Sequence, residues 1–479
     1  MITRRSFLKL AGLTSLGVFT SACSQAPWLI GQANLPAPTI AMVNWHNSAN
    51  EKTTAHVLKR LTYGIRPADI EQVMSKGIST FIDEQLNPKS IPDNRAYWLV
   101  RRIDTIGLNA PDIFGLTAKD AINDLRQATI LRAIYSERQL QELMVEFWSD
   151  HFNIYSEKAD CAWLKIIDDR EVIRKHALGK FQDLLHASAT SPAMLSYLDG
   201  SSNQVRKLNE NYARELLELH TLGVKGGYSQ KDVMQTAKAL SGWQNNQRFW
   251  RGRVKFESSL HDFTEKEILG QKFPADASSD LEDLINLVSS HPSTANFIST
   301  KLCRRFVSEN PSQELILQVA KRFQESIGDI KETLRLLFNS EEFLNAPPKF
   351  KRPFTYMISA LRAANANCDA GTALRQHLDT LGQLPFNWPT PDGYPDSAEH
   401  WQTQLLPRWN FAISLANNQI KGTSCNLESL QSNLNTFNTF ATSLIQRELT
   451  ENELAAITQA ENINDKVALL LCLPDFQYQ

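Results

Sequence analysis

The sequence predicts a mainly α-helical protein, and three observations support this prediction. From His46 onward, apolar residues recur every three or four positions, which is the period of an amphipathic helix. Helix-start signals separate the periodic segments, as where Ser229 and Asp232 form a capping-box pattern. Only residues 248–256 alternate in the manner of paired strands, with Gly252 at the turn. We therefore expect a multi-helical globular body with one small β-ribbon near 248–256.

The helical segments can be placed in order by their apolar periodicity. They cover residues 53–63, 67–86, 119–155, 168–186, 209–222, 230–243, 281–289, 293–308, 312–325, 329–345, 402–419, 427–447 and 451–471. Residues 383–396 differ, because they contain Gly393 and prolines at positions 385, 389, 391 and 395. This density of helix breakers predicts a long Pro/Gly-rich loop.

The first 26 residues are typical of a twin-arginine signal peptide. Residues 3–9 read Thr-Arg-Arg-Ser-Phe-Leu-Lys, and the apolar run that follows at 10–19 is too short to span a membrane. The small residues before Cys23 resemble a lipobox, in which Cys23 is lipidated, whereas residues 24–26 offer an ordinary cleavage site after Ala26. We expect a protein of the periplasm or cell envelope, anchored by lipid if cleavage falls at Cys23.

Beyond the signal peptide, residues 27–45 are rich in Pro and Ala and predict a linker. We assign residues 46–345 to a helical core and residues 346–479 to a C-terminal loop and helices packed on that core. No segment of this part has 18 consecutive apolar residues, so any membrane contact is expected through the lipid anchor alone. The net charge of −2 gives no electrostatic reason to expect nucleic-acid binding.

The cysteines of the chain are not spaced as a C-x-x-C motif, which argues against a zinc knuckle or a redox pair. A chain that folds before export forms its core with reduced thiols. We therefore expect most of these cysteines to be small buried apolar residues.

The most polar helical segment begins at Asn209. Its stripe of Asn211, Arg214, Glu215 and Glu218 is about 100° wide, and His220 falls on the apolar side. A second helix repeats the arrangement, with His151 on its apolar side. The polar stripe of that second helix comprises Glu142, Glu146, Ser149, Asp150 and Asn153.

These patterns leave two interpretations open. Inward-facing His151 and His220, with Glu215, have the donor types that bind zinc or iron, although the usual ligand spacings are absent. Alternatively, both histidines are core residues and the charged stripe is a solvated face.

Two further groups have chemical potential. Adjacent His261 and Asp262 suit a metal ligand pair or a general base, although a capping Asp is the structural alternative. Trp388 and Trp401 of the Pro/Gly-rich loop suit carbohydrate binding if both rings are exposed and coplanar.

Several long strings in the chain resemble the bacterial domain-of-unknown-function 1800 family, from about residue 50 to the C-terminus. These strings stand at residues 56–64, 147–152, 209–223, 226–229, 239–243, 261–270 and 389–395. The string at 209–219 reads Asn-Glu-Asn-Tyr-Ala-Arg-Glu-Leu-Leu-Glu-Leu. The family pattern is broken at Thr264, which stands where glycine is usual, and at Gly200, which stands where asparagine is usual.

The resemblance implies a mostly helical, often exported protein whose activity is not established. It also suggests a partner, because genes of this family often neighbour those of a secreted, alkaline-phosphatase-like family, domain-of-unknown-function 1501.

Two functions are consistent with these observations. The first is a polar internal site that binds a metal ion or small ligand and carries out hydrolysis or redox chemistry on an envelope substrate. Its candidate residues are His151 or His261 as ligand or base with Asp262, Glu215 and Glu218 as ligands or acid–base groups, and Arg214 as an anion clamp. The alternative is a non-catalytic envelope scaffold in which the same charges fix helix packing.

Overall fold

The mainly α fold is confirmed by the computed structural model, which describes residues 39–48, 50–246, 251–275, 279–430 and 434–479. The signal peptide, Cys23 and residues 248–250 of the predicted ribbon lie outside the described residues. Residues 39–479 form one compact unit. Among the described helices, none is both long and apolar enough to cross a membrane.

The first group of helices runs to residue 151. Asn50 starts α2 by accepting a hydrogen bond from the Thr53 N–H in a capping box. Gly77, at φ +89°, separates α3 from α4. The predicted helix at 119–155 is two helices, because Ser136 adopts an extended conformation. The group comprises α1 (Trp45–Ser48), α2 (Glu51–Leu61), α3 (Asp69–Lys76), α4 (Ile78–Leu86), α5 (Asn94–Arg101), α6 (Ala110–Ile113), α7 (Ala118–Tyr135) and α8 (Gln139–His151).

The second group contains two π-helical segments, Asp168–Ile173 after α9 and Leu216–Thr221 after α13. Such segments are rare and occur frequently at functional sites. The predicted capping box of Ser229 and Asp232 is confirmed at the start of α14. The group comprises α9 (Cys161–Ile167), α10 (Arg174–His176), α11 (Phe181–Ala189), α12 (Pro192–Tyr197), α13 (Asn211–Glu215), α14 (Gln230–Ala239), α15 (Asp280–Ser290) and α16 (Pro292–Phe306).

The third group completes the body. It comprises α17 (Gln313–Glu325), α18 (Ile330–Phe338), α19 (Glu341–Leu344), α20 (Pro353–Ala363), α21 (Thr372–Thr380), α22 (Ala398–Trp401), α23 (Leu405–Ala416), α24 (Leu434–Ile445), α25 (Glu451–Gln459) and α26 (Ile463–Cys472). Short 3₁₀ turns lie at Pro88–Ser90, Asp104–Gly107, Gly200–Ser202, Ser258–Leu260, Glu428–Leu430 and Pro474–Gln477.

The β structure is limited to antiparallel two-stranded pairs. In the first pair Trp243 lies opposite Phe256, so the ribbon begins before residue 248, earlier than the alternation indicates. The sequence pattern did not predict the other two pairs, whose strands are only two or three residues long. The pairs are β1 (Trp243–Asn245) with β2 (Val254–Phe256), β3 (Lys266–Ile268) with β4 (Gln271–Phe273), and β5 (Asn367–Cys368) with β6 (Thr423–Ser424).

Backbone pairing fastens both ends of the described chain to the body. Met42, in the predicted linker, pairs with Ser340, and the Val43 N–H donates to the Asn339 carbonyl at 2.8 Å. At the other end, Lys349 and Gln479 exchange two backbone hydrogen bonds of 2.9 and 2.8 Å. The last residues of the chain therefore lie beside residues 349–351.

Residues 383–401, hereafter the strap, cross the end of α8. Residues 383–396 contain turns and extended backbone before α22 begins. Gly393 has φ +76°, and a Cβ atom at this position would lie 2.1 Å from the Asp150 carbonyl oxygen. Only glycine allows the strap backbone to approach α8 this closely.

Candidate functional site

The polar stripe predicted on α8 faces a cavity. Glu142, Glu146 and Asp150 are spaced four residues apart, which places their side chains on one face of the helix. Ser149 and Asn153 extend the same face, and all five residues line the cavity.

The opposite walls of the cavity are largely apolar. The space between these walls is about 540 Å³ when open solvent at the mouth is included, and its interior has room for about 40 Å³. Phe354, from α20, and Pro385, Phe386 and Tyr394, from the strap, are among the apolar and aromatic residues of these walls. A concave apolar site with a few converging polar groups is the usual form of a small-ligand pocket.

Glu146 is held ionised at the base of this cavity. Its Oε2 atom accepts hydrogen bonds from the Tyr63 hydroxyl at 2.8 Å and from Arg305 Nη2 at 2.9 Å, while Arg352 donates to Oε1. Burial acts to raise the pKa of Glu146, but Arg352 and Arg305 outweigh it, so the pKa is lowered. The same surroundings, burial foremost, raise the pKa of Tyr63 well above its ordinary value.

Asp150, one turn further along α8, is shifted in the opposite direction. Its Oδ2 atom accepts a hydrogen bond from Arg352 Nη1 at 2.7 Å. Burial and the neighbouring Glu146 charge nevertheless raise the pKa of Asp150 against the attraction of Arg352. A carboxylate pair with pKa values displaced in opposite directions is the usual arrangement of a general acid beside a group that stays charged.

The Glu142 end of the cavity is closed by a second ion cluster. Arg174 donates to both Glu142 oxygens at 2.9 and 2.8 Å and to Asp169 at 2.8 Å. Asp169 lies in the π-helical segment Asp168–Ile173. The hydrogen bonds of a π-helix span one residue more than those of an α-helix, and this wider turn helps to place Asp169 beside Arg174. With both oxygens paired, Glu142 is a structural residue here.

The strap covers the other end of the cavity through specific hydrogen bonds. Asn153 Nδ2 donates to the carbonyl oxygens of Trp388 and Thr390 at 2.9 and 2.7 Å. Lys349 Nζ donates to Asp396 at 2.9 Å. Burial acts to raise the pKa of Asp396, but Lys349, Arg305 and Arg352 together hold it far below the ordinary value. Arg305 and Arg352 therefore lower the pKa of Asp396 in the strap as well as that of Glu146.

His151 and His220 both lie in the core behind the cavity, with ring centroids 6.1 Å apart. Lys301 Nζ donates to His151 Nδ1 at 2.9 Å, and His151 Nε2 donates to the His220 carbonyl at 3.1 Å. Burial and Lys301 lower the pKa of His151 well below its ordinary value, and burial lowers that of Lys301 to about 8. Neither ring nitrogen of His220 has a hydrogen-bond partner among the described residues.

The proposed metal set is not assembled by this geometry. Within the described ranges, no group of three or more His, Cys, Asp or Glu side chains is placed to hold a metal ion. His151 uses both ring nitrogens in the bonds to Lys301 and His220, which leaves neither free for a metal. The metal site of His151, His220 and Glu215 thus stays a prediction without support from these contacts.

The charged stripe of α13 and its π-helical extension lies outside the cavity of α8. Arg214 pairs with Glu210 at 3.3 Å and Gln230 at 2.9 Å, and Tyr228 donates to Glu218 at 3.1 Å. Burial and Glu218 raise the pKa of Glu215, which is partly exposed. These three predicted site residues do not line the cavity of α8.

His261 and Asp262 belong to a third, buried cluster. His261 Nε2 and Lys266 Nζ both contact Asp280 Oδ2, at 3.0 and 2.7 Å. Asp262 Oδ1 accepts from the Thr264 N–H at 2.8 Å, which closes a turn before β3. Asp280 is the partner that sequence reasoning missed, because nothing in the local pattern links it to His261.

The tryptophans of the strap do not form the exposed platform expected for carbohydrate binding. Trp401 is 1% exposed, and its Nε1 donates to the Pro395 carbonyl at 2.9 Å. Trp388 is partly exposed and packs against Tyr394 with ring centroids 5.1 Å apart. The expectation of two exposed, coplanar rings is therefore wrong.

The fold and the cavity define a helical protein with a buried acid–base cluster beneath a proline-rich strap. A model of the family described as "Protein of unknown function (DUF1800)" matches residues 56–478, and the chain belongs to this family. This confirms the resemblance seen in the sequence strings. No curated protein and no solved structure matches the chain.

Proposed function

We propose that this protein is an exported hydrolase that binds a small organic substrate in the cavity between α8 and the strap. The observation that carries the proposal is the pair Glu146 and Asp150, two carboxylates one turn apart whose pKa values are shifted in opposite directions inside one cavity. Export is supported by the twin-arginine pattern of residues 3–9.

In this proposal Asp150 transfers the proton. Its raised pKa keeps the carboxyl group protonated to higher pH, so it donates a proton to the leaving group as the scissile bond breaks. Water bonds to the reacting carbon as the leaving group departs, and the resulting Asp150 carboxylate takes the proton that this water releases, which restores the starting state. Glu146 remains charged and, through Arg352, holds Asp150 in position.

The cavity also favours a particular kind of substrate. The charged side chains that stay ionised in the cavity wall are all in ion pairs, Glu142 with Arg174 and Glu146 with Arg305 and Arg352, which suits an uncharged ligand. Ser149 lines the cavity, and its buried hydroxyl has no hydrogen-bond partner among the described residues, so we assign it the role of bonding a polar group of that ligand.

The test is a hydrolysis screen with a panel of 4-nitrophenyl esters and glycosides. We expect turnover of at least one member, and a loss of about 100-fold or more in kcat for Asp150→Asn, the range that general acid catalysis contributes. Asp112→Asn, at an exposed aspartate outside the cavity, is the matched control and should leave kcat unchanged. Hydrolysis that survives Asp150→Asn would remove the proposed role of this residue.

A second candidate function, a partner-binding scaffold, is favoured by a separate observation. Leu406, Trp409 and Ile413 lie at helical spacing on α23 and are 63%, 42% and 46% exposed. If no panel member is hydrolysed while Trp409→Glu abolishes retention of a partner from the cell envelope, the scaffold function replaces the hydrolase. The secreted alkaline-phosphatase-like family is the first partner to test.

A further inference from the structure

A second exposed surface, formed by α5 and the residues beside it, combines aromatic rings with positive charge. Tyr97 and Trp98 are 54% and 58% exposed, unusually high values for large aromatic residues. We call this surface the aromatic–basic patch; it comprises Lys89, Arg95, Tyr97, Trp98, Arg101 and Arg102.

The aromatic and basic groups of the patch contact one another. The Tyr97 and Trp98 rings meet edge to face with centroids 5.3 Å apart. Arg101 Cζ lies 5.4 Å from the Trp98 ring and 5.8 Å from the Tyr97 ring, and Arg101 Nη1 donates to the Tyr97 hydroxyl at 2.9 Å. The two rings therefore pack against each other and against Arg101 at the surface, and they are not buried in the core.

The opposite face of α5 fixes the patch to the body. Ala96 and Val100 are buried in the core, and the exposed Arg95 also contacts the body, with its Cζ 4.2 Å from the Tyr135 ring of α7. The exposed rings therefore sit on a helix whose inner face is packed, so their exposure is a property of the folded protein.

The charge of the patch indicates what it contacts. Between residues 89 and 104 there are four basic residues and two carboxylates. One carboxylate, Asp93, is turned inward and accepts hydrogen bonds from Ser136 Oγ at 3.0 Å and the Glu137 N–H at 2.9 Å. The other carboxylate, Asp104, is exposed, so the outer face has four basic residues against one carboxylate and is net positive, which complements an anionic surface.

The apolar stripe of α23 provides a contrast within the same molecule. Residues 402–416 contain one basic residue, Arg408, which is fully buried. Trp409 is therefore exposed, but residues 402–416 place no exposed basic side chain beside it. The combination of an exposed ring pair with exposed arginines distinguishes the patch on α5.

We propose that the aromatic–basic patch docks the folded protein on an anionic phospholipid bilayer. Trp and Tyr side chains prefer the headgroup region of membranes, where an apolar ring and a polar tip are both accommodated. Arg101, Arg102 and Lys89 face the lipid phosphates, which attract basic side chains near the surface. This contact is separate from the hydrolase proposal and from lipidation of Cys23.

The test is co-sedimentation with vesicles, using the full chain carrying Cys23→Ser so that no acyl chain contributes. We expect binding to vesicles of equal parts phosphatidylglycerol and phosphatidylcholine, weak binding to pure phosphatidylcholine, and weakening by salt. Combined Arg101→Gln and Arg102→Gln should reduce the affinity about 30-fold, and Trp98→Ala about tenfold. Trp409→Ala is the matched control and should have no effect.

Several outcomes would overturn the proposal. Equal binding to both vesicle types would remove the electrostatic contact, and an unchanged affinity in Trp98→Ala would remove the aromatic contact. A dimer in sedimentation that Trp98→Ala dissociates would instead assign the patch to a second copy of the chain. The vesicle comparison and its salt dependence use the unsubstituted patch, so they do not depend on how the variants fold.

Discussion

Glu146 and Asp150 show how two identical functional groups on one helix acquire different properties. Glu146 is surrounded by two arginines and a tyrosine hydroxyl, which stabilise its negative charge. Asp150 shares Arg352 with Glu146 and is mostly shielded from solvent, so its charge is less well compensated. The difference in surroundings, rather than in side chain, separates their roles.

Substitutions at these two positions should have opposite effects on stability. The folded-state pKa of Asp150 is raised, so ionisation costs stability as pH rises above its unfolded value of 3.8. Asp150→Asn removes that cost and should leave Tm at pH 7 unchanged or higher. Glu146→Gln leaves Arg305 and Arg352 poorly paired and should cost about 3 kcal/mol. Thermal denaturation of both variants checks this, and a larger loss for Asp150→Asn would contradict it.

The buried histidines should make the protein sensitive to acid. Burial lowers the pKa of His56 to about 4 and that of His220 to about 3, against 6.5 in the unfolded chain. Because the folded state favours the neutral rings, stability is complete above pH 6.5 and is lost as pH falls toward 4.

His220→Phe tests this reasoning, because neither ring nitrogen of His220 has a partner among the described residues. We expect stability near that of the parent protein at pH 7, higher stability at pH 5, and a shallower dependence on pH, as measured by urea unfolding. His186→Gln, at a partly exposed histidine, is the matched control. An equally steep pH dependence in His220→Phe would show that His220 does not contribute.

At the scale of elements, the strap depends on one backbone contact. Gly393→Ala places a methyl group 2.1 Å from the Asp150 carbonyl oxygen and requires φ +76° of a residue with a side chain. We expect a loss of about 3 kcal/mol or more, since overpacking adds to backbone strain. Opening of the strap should appear as faster proteolysis within residues 383–396.

Gly227→Ala is the control for that substitution. Gly227 has φ +84°, but a Cβ atom there would meet nothing within 4 Å, so only the backbone strain of about 1 kcal/mol is expected. If both variants lose the same stability in denaturant unfolding, the close approach of the strap to α8 is not a significant constraint.

Sequence periodicity predicts those parts of the site that lie within one helix. It placed Glu142, Glu146, Ser149, Asp150 and Asn153 on one polar stripe, and this stripe lines the cavity. It missed Tyr63, Arg305 and Arg352, which lie 83, 159 and 206 residues from Glu146. A pattern with a short period carries no information about contacts at such separations.

The same limit explains which elements were predicted. The amphipathic helices α14 and α17 stand close to their predicted positions, whereas α20 was missed because every one of its residues is buried and no polar face marks its period. The hairpin of β3 and β4 was missed because three-residue strands are too short to show alternation.

At the scale of the whole molecule, folding produces a body without disulfides in its described part. The described cysteines are free; four are buried and Cys472 is half-buried. Burial raises the pKa of Cys161 to about 12 and that of Cys472 to about 11, so the reactive thiolate is scarce at neutral pH. This agrees with the sequence-based interpretation of the cysteines as small apolar residues.

Thiol titration with a chromogenic disulfide reagent, on the Cys23→Ser chain, checks this property. We expect slow reaction in the native state, beginning at Cys472, and reaction of all remaining thiols after denaturation without reductant. The number of thiols that react in the denatured protein should be the same with and without prior reduction. A lower count without reduction would reveal a disulfide and contradict the free-thiol state.

The pairing of residues 349–351 with 477–479 affects when the site is completed during protein synthesis. The backbone of Lys349 exchanges two hydrogen bonds with that of Gln479, and the Lys351 N–H donates to the Gln477 carbonyl. Arg352 follows directly in the sequence. The ribosome adds these partners more than a hundred residues after Arg352, so a nascent chain holds Glu146 and Arg352 without the segment that braces them. The acid–base cluster therefore gains this neighbouring backbone pairing only after more than a hundred further residues have been synthesised.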